Sequence, residues 1–153
     1  MVTTAVDLRD AEIFDVDGTL VDVSGVRHLI KGPGGFTAFH RASASCPPHQ
    51  HVVDAARAAH ARGRAVLIMT GRDRRWERLT SMWLAVHDVP SDGLWMRGRG
   101  DYRPDYVIKR ELLHSVRRQY NVRRAWDDNP NVIRLWQEEG IPVEIVPGWD
   151  DEQ

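Results

Sequence analysis

Two aspartates one residue apart, Asp15 and Asp17, lie in the run Asp15-Val16-Asp17-Gly18-Thr19. In an extended segment residues i and i+2 point the same way. Carboxylates so placed face one site and repel unless a cation lies between them. Related groups recur down the chain. Thr70-Gly71-Arg72 offers a hydroxyl, a flexible turn and a guanidinium. Asp105 and Lys109 are one helical turn apart, close enough to pair. Asp127-Asp128 is a second acid pair. Acids that hold a hard cation such as Mg²⁺, with a lysine and a hydroxyl for phosphate oxygens, are what phosphoryl chemistry requires.

Each group alone is ordinary. A DxD pair also caps turns, and TGR is a common exit from a strand. Asp127-Asp128 before Asn129-Pro130 could cap a helix, and a lone lysine on a helix is usually solvated. The weight lies in their conjunction and in the elements that must position them. Ala11–Val16 (AEIFDV) reads as a short buried strand, and Ala65–Met69 (AVLIM) as a second. Leu94–Met96, Arg124–Trp126 and Val143–Val146 read as three more. Helices are expected over Pro47–Arg62, Asp73–Val86, Asp105–Tyr120 and from Asn129-Pro130 to Glu139, with Gly63 and Gly140 as stops. Asp17–Gly35 is rich in glycine and reads as loop. Apolar strands alternating with helices predict a doubly wound, Rossmann-like α/β fold with a parallel sheet of about five strands. In such sheets ligands bind beyond the carboxyl ends of the strands. The acids, Thr70 and Lys109 all fall at strand ends or helix starts.

The chain has 153 residues, 42% hydrophobic and 28% charged, which predicts one globular domain over residues 1–153. No apolar run approaches the roughly 20 residues of a membrane helix. The start of the chain has no basic residue followed by an apolar stretch, so no secretory leader is expected. The one cysteine, Cys46, reads as an inert thiol, and cysteine usage suits a reducing cytoplasm. The formal net charge of -1 hides a segregation: residues 1–56 carry -3, residues 57–124 carry +9 and residues 125–153 carry -7. Lys31 and Lys109 are the only lysines. So much arginine is either compositional bias or a surface suited to phosphate, which the guanidinium fork fits.

With these residues the sequence resembles the haloacid dehalogenase (HAD) superfamily of phosphohydrolases. Its DxDGT motif is met by Asp15–Thr19, its apolar strand ending in Ser/Thr by Ala65–Thr70, its lysine by Lys109 and its late acids by Asp127-Asp128. More narrowly the chain is similar to the phosphatase domain of bacteriophage polynucleotide kinase/phosphatase. That domain has TGR, an acid four residues before its lysine and a DD pair. The kinase half requires a P-loop, and Lys31-Gly32-Pro33-Gly34-Gly35 lacks the GK[ST] ending, so no kinase activity is expected.

The resemblance implies roles. Asp15 is the nucleophile and Asp17 the general acid, then base. Mg²⁺ is held by Asp15, by the backbone carbonyl of Asp17 and by Asp128, with Asp127 acting through water or behind Asp128. Thr70 and the backbone after Asp15, through Thr19, bind phosphate with Lys109. Asp105 holds Lys109, and Gly71, Arg72 and Arg27 help bind the substrate. Neither gap between motifs holds a cap domain of usual size. An open site suits a phosphorylated nucleic-acid end, which Arg74, Arg75, Arg78, Arg97, Arg99 and Arg103 could also contact.

Trp76, Trp83 and Trp136 are expected in the core. Trp95 and Trp149 are either core or base-stacking residues. His40 could lie near the site mouth, but reads first as a structural histidine with its hydrogen bonds met. The competing classes are a phosphatase for small molecules such as nucleotides, a phospho-acceptor module and a non-catalytic domain on the same scaffold. Oligomeric state is not legible.

Overall fold

A computed structural model describes residues 7–149. The first six residues, part of the stretch read for a leader, lie outside them. Strand β1 (Arg9–Phe14) is followed by a 3₁₀ turn (Arg27–Lys31), α1 (Gly35–Ser43), α2 (Gln50–Ala61) and β2 (Ala65–Asp73). A second 3₁₀ turn (Arg74–Trp76) leads to α3 (Glu77–Val86) and β3 (Gly93–Arg97). Then come α4 (Asp105–Arg117), β4 (Tyr120–Asp127), α5 (Pro130–Glu138) and β5 (Val143–Ile145). The sheet order is β3-β2-β1-β4-β5 and every pairing is parallel. The doubly wound α/β sheet of five strands is therefore as expected.

The central strands are apolar on both faces because helices cover both. Phe14, Val66 and Ile68 pack under α2 and α3 with Val52, Ala56 and Trp83. Ile13, Leu67 and Met69 face α4 and α5 with Leu113, Val116 and Trp136. Each large side chain so buried contributes about 1.5–3 kcal/mol relative to exposure. This sandwich fixes the strand ends.

Three elements differ from their sequence reading. The glycine-rich stretch after β1 holds a 3₁₀ turn and is followed by α1, whose Phe39, His40 and Ser43 are buried. Asp73–Val86 is not one helix, because the Asp73 carboxylate accepts the Arg75 N–H and caps a 3₁₀ turn first. That places Trp76 at a cavity wall, half-buried, and leaves Val86 73% exposed. β2 runs past Met69 to Asp73, with a register shift against β3 between Thr70 and Asp73. No folded cap of usual size stands over the strand ends among the described residues.

Candidate active site

β1 delivers Asp15, whose N–H donates to the Trp126 carbonyl (3.1 Å) and extends the ladder to β4 by one residue. The chain then turns through Gly18, at φ +80°, and the Gly18 N–H donates to Val21 O (2.9 Å). A Cβ on Gly18 would stand 1.9 Å from Asp128 Oδ2, so only glycine fits beneath that acid. β4 delivers Asp127, and Asp128 follows. Asn129 then caps α5 by accepting the Asn131 N–H, with Pro130 in the first turn.

Asp15, Asp127 and Asp128 are all buried, and one oxygen from each lies within 4.8 Å of the other two. Lys109, brought from α4, donates to Asp15 Oδ1 and Asp127 Oδ2, 2.9 Å each. The Thr19 hydroxyl lies 3.1 Å from Asp15 Oδ2 and 3.3 Å from Asp128 Oδ1, and its single proton serves one of them. Arg27 donates to Asp128 Oδ2 (3.3 Å) and to the Gly148 carbonyl (3.0 Å). Three carboxylates thus share Lys109 and one half-buried arginine. Burial first, and then the Asp127 charge, push the Asp15 carboxyl well above its ordinary range, although Lys109 pulls the other way. Burial and Asp127 likewise push Asp128 up to about 6. An all-oxygen set with surplus negative charge fits a hard divalent cation such as Mg²⁺.

The four acids differ in how far they are committed. Asp127 Oδ1 accepts the N–H groups of Asp128 (3.0 Å) and Asn129 (3.1 Å). Its Oδ2 accepts from Lys109 and, at 3.4 Å, from Trp136 Nε1. Each Asp127 oxygen thus takes two donors, where each oxygen of Asp15 and Asp128 takes at most one, so Asp127 is a hub that anchors its neighbours. Asp17 stands apart from the cluster, its carboxylate gripped by Arg72 through Nε (2.9 Å) and Nη2 (2.5 Å). Burial works to raise the Asp17 pKa, but the Arg72 charge and hydrogen bonds outweigh it and hold the carboxyl below its usual value.

Arg72, expected on the substrate, lines the cavity but is buried, and besides gripping Asp17 it donates to Thr80 Oγ1 and Ser43 Oγ, 3.0 Å each. Asp105 also differs: its hydrogen-bond partner is Arg97, not Lys109, although its charge still favours the protonated lysine. Arg97 further donates to the Gly71 carbonyl (2.8 Å) and the Asp101 carbonyl (2.9 Å), and Arg103 pairs with Asp101 and Glu111. Both therefore brace loops. Gly71 is needed where it is, because a Cβ there would lie 2.6 Å from the Asp105 carboxylate. Thr70 is buried at the cavity and accepts the Arg72 N–H (3.1 Å), which leaves its hydroxyl proton to donate.

Trp83 and Trp136 are core residues as expected. Trp95 packs edge-on against Tyr120, whereas Trp149 lies at the cavity under the Arg27 guanidinium, 5.6 Å away. His40 is buried, yet its Nδ1 has no hydrogen-bond partner, contrary to the satisfied histidine expected. Ser43 and Thr80 escaped the sequence reading. The sequence signalled only Thr80, a polar residue on the apolar face of the helix expected over 73–86; Ser43 carried no signal because α1 was not expected.

Asp15, Asp17, Thr70, Lys109, Asp127 and Asp128 all line one cavity of about 630 Å³, within the usual range for small-ligand sites. Residues 9–148 match the family described as the polynucleotide kinase PNKP phosphatase domain. A putative bifunctional polynucleotide kinase/RNA ligase of Autographa californica nuclear polyhedrosis virus is 36% identical over 80 residues, 51% of this chain and 12% of that protein. A chain of a Pnkp1/Rnl/Hen1 RNA repair complex is 28% identical with TM-score 0.78, over 95% of this chain and 44% of that one. A class C acid phosphatase from Bacillus anthracis is 13% identical with TM-score 0.72, over 93% and 68% of the two chains, and shares the fold. The chain thus spans less than half of the RNA repair chain and about an eighth of the viral protein.

Proposed function

The chain belongs to the polynucleotide kinase PNKP phosphatase-domain family, and from that membership we propose that it removes 3′-phosphates from polynucleotide ends. The reaction is Mg²⁺-dependent and passes through an aspartyl-phosphate on Asp15. The observation that carries it is the buried Asp15 carboxylate at the end of β1, oriented by Lys109 and Thr19 over a cavity and short of compensating charge.

Asp15, Asp128 and the backbone of Asp17 would hold Mg²⁺, with Asp127 behind them because each of its oxygens already takes two donors. The bound cation supplies charge neutralisation at the phosphate and lets the acids remain ionised. An Asp15 oxygen attacks phosphorus, the phosphorus–oxygen ester bond breaks, and the leaving sugar oxygen takes a proton from Asp17. Asp17 then takes a proton from water, whose oxygen attacks phosphorus and frees Asp15 with inorganic phosphate. Asp17 gripped by Arg72 is ionised, which is the state the second half needs; for the first half it must carry a proton and release Arg72. Thr70 donates its free hydroxyl to a phosphate oxygen. Lys109 holds Asp15 in line and offsets phosphate charge.

The test is phosphate release with Mg²⁺ from DNA and RNA 3′-phosphate ends, 5′ ends and mononucleotides. Release chiefly from 3′ ends is expected. Release from mononucleotides alone would replace this reading with a small-molecule phosphatase.

A further inference from the structure

Among the described residues four aromatic side chains are exposed: Phe36 (63%) and Tyr102 (93%) strongly, Trp149 (40%) and Tyr106 (37%) in part. Three of them, Phe36, Tyr102 and Trp149, line the cavity that holds Asp15. Aromatic surface left in water at one place, over a site for a phosphate, is the signature of a ligand that brings flat rings with its phosphate.

One wall is built for the purpose. The Phe36 ring stacks on His40, with centroids 6.0 Å apart and planes 28° from parallel. His40 in turn lies 5.2 Å from the Trp76 ring, and Arg75 covers the Trp76 ring at 5.9 Å. Burial holds the His40 pKa down at about 4, so the ring is neutral at pH 7 and packs as an aromatic. Its buried Nδ1 meets no partner, so the protein uses this histidine for its face. The wall is also tied to the chemistry. Ser43 Oγ donates to the His40 carbonyl (2.6 Å) and accepts from Arg72 Nη2 (3.0 Å), the same nitrogen that grips Asp17. α1 therefore stands at a fixed place relative to Asp17.

We propose that the Phe36–His40–Trp76 wall receives the base of the nucleotide that carries the scissile phosphate. This deepens the polynucleotide-end reading and rests on it. A sugar phosphate brings no aromatic ring to this wall, whereas every nucleotide end with its base brings one, and stacking accepts any base.

The test is a cycle of one protein change and one substrate change. Phe36→Ala is made because Phe36 is mostly exposed and its loss leaves the core intact. The substrate is a 3′-phosphorylated oligonucleotide whose terminal nucleotide is either intact or abasic. F36A is expected to lower kcat/KM on the intact end by about tenfold, within the range alanine substitution removes at base-stacking aromatics. On the abasic end F36A and the unaltered chain should agree, and the preference of the unaltered chain for the intact end should vanish in F36A. An equal loss on both ends, or no loss on either, overturns the subsite and leaves the phosphatase reading standing. If the unaltered chain releases phosphate from a mononucleotide but from neither oligonucleotide, the polynucleotide reading falls and takes the subsite with it.

Discussion

Two buried carboxylates lie three residues apart on one stretch of chain, Glu12 within β1 and Asp15 just past its end. By strand rise they are roughly 10 Å apart, yet their surroundings are opposite. Glu12 Oε2 takes both Arg62 (2.9 Å) and Arg64 (3.0 Å), and Oε1 takes Trp126 Nε1 (3.1 Å). Two guanidiniums serve one acid. At Asp15 a lysine is divided between two acids, with Asp128 beyond them and Arg27 at the edge. Trp126 touches both clusters, through its indole at Glu12 and its carbonyl at Asp15. One strand thus carries a saturated cluster that closes the fold and a deficient one that awaits a ligand. Surplus charge marks the working end, since a chain built only for stability would have matched it.

The largest effect that sharpens this contrast is Asp15→Asn. Phosphate release should fall by at least about 10⁴-fold, the order seen when a covalent nucleophile is removed. The fold should respond the other way. The Asp15 pKa is raised above the unfolded value of 3.8 by burial and by Asp127, so its ionised form is disfavoured in the folded chain. That penalty grows as pH rises from the unfolded value through the folded one, and is fully present above it. In EDTA at pH 7, D15N should therefore melt higher than the unaltered chain. A lower melting temperature would break the comparison.

Glu12→Gln is the mirror experiment. Urea unfolding should show a loss of about 3 kcal/mol, the scale for removing one partner of a buried ion pair, while kcat/KM at saturating Mg²⁺ stays within twofold. Arg72→Lys should cut kcat by about 10²-fold, as a misplaced catalytic group does, because lysine cannot grip both Asp17 oxygens. The pH dependence of Mg²⁺ affinity is a smaller effect. Asp128, at about 6 without a cation, must lose its proton to bind one. Affinity measured by titration should fall by up to about tenfold for each pH unit below that value. Arg62→Gln should be the least costly, under about 1 kcal/mol, since Arg62 is half exposed and Arg64 remains on Glu12.

The strand ends were legible because alternation and short apolar runs fix where a buried parallel strand stops. The sequence therefore pointed to Asp15, Thr70, Lys109, Asp127 and Asp128 as neighbours in space. Partner choice was not legible. The i, i+4 spacing of Asp105 and Lys109 favours a local pair, but the deeper acids Asp15 and Asp127 take the lysine, and Arg97 takes Asp105. Arg72 reads like any arginine after a strand, and the Asp17 carboxylate together with the Ser43 and Thr80 hydroxyls turns it inward. α1 was hidden because Gly34 and Gly35 break the pattern just before its short buried face. Much of the basic middle segment is likewise spent on internal pairs, including Arg62 and Arg64 with Glu12 and Arg97 with Asp105.

Gly18 divides the molecule for anyone wishing to remake it. With φ at +80° and no room for a methyl beneath Asp128, a saturation library at this position should return one amino acid. Phe36 and Tyr102 line the same cavity but stand largely in water, so replacements there should leave the core intact. Selection for new substrates would therefore act on the rim while the floor stays frozen, and the same chemistry could be aimed at different ends without being rebuilt.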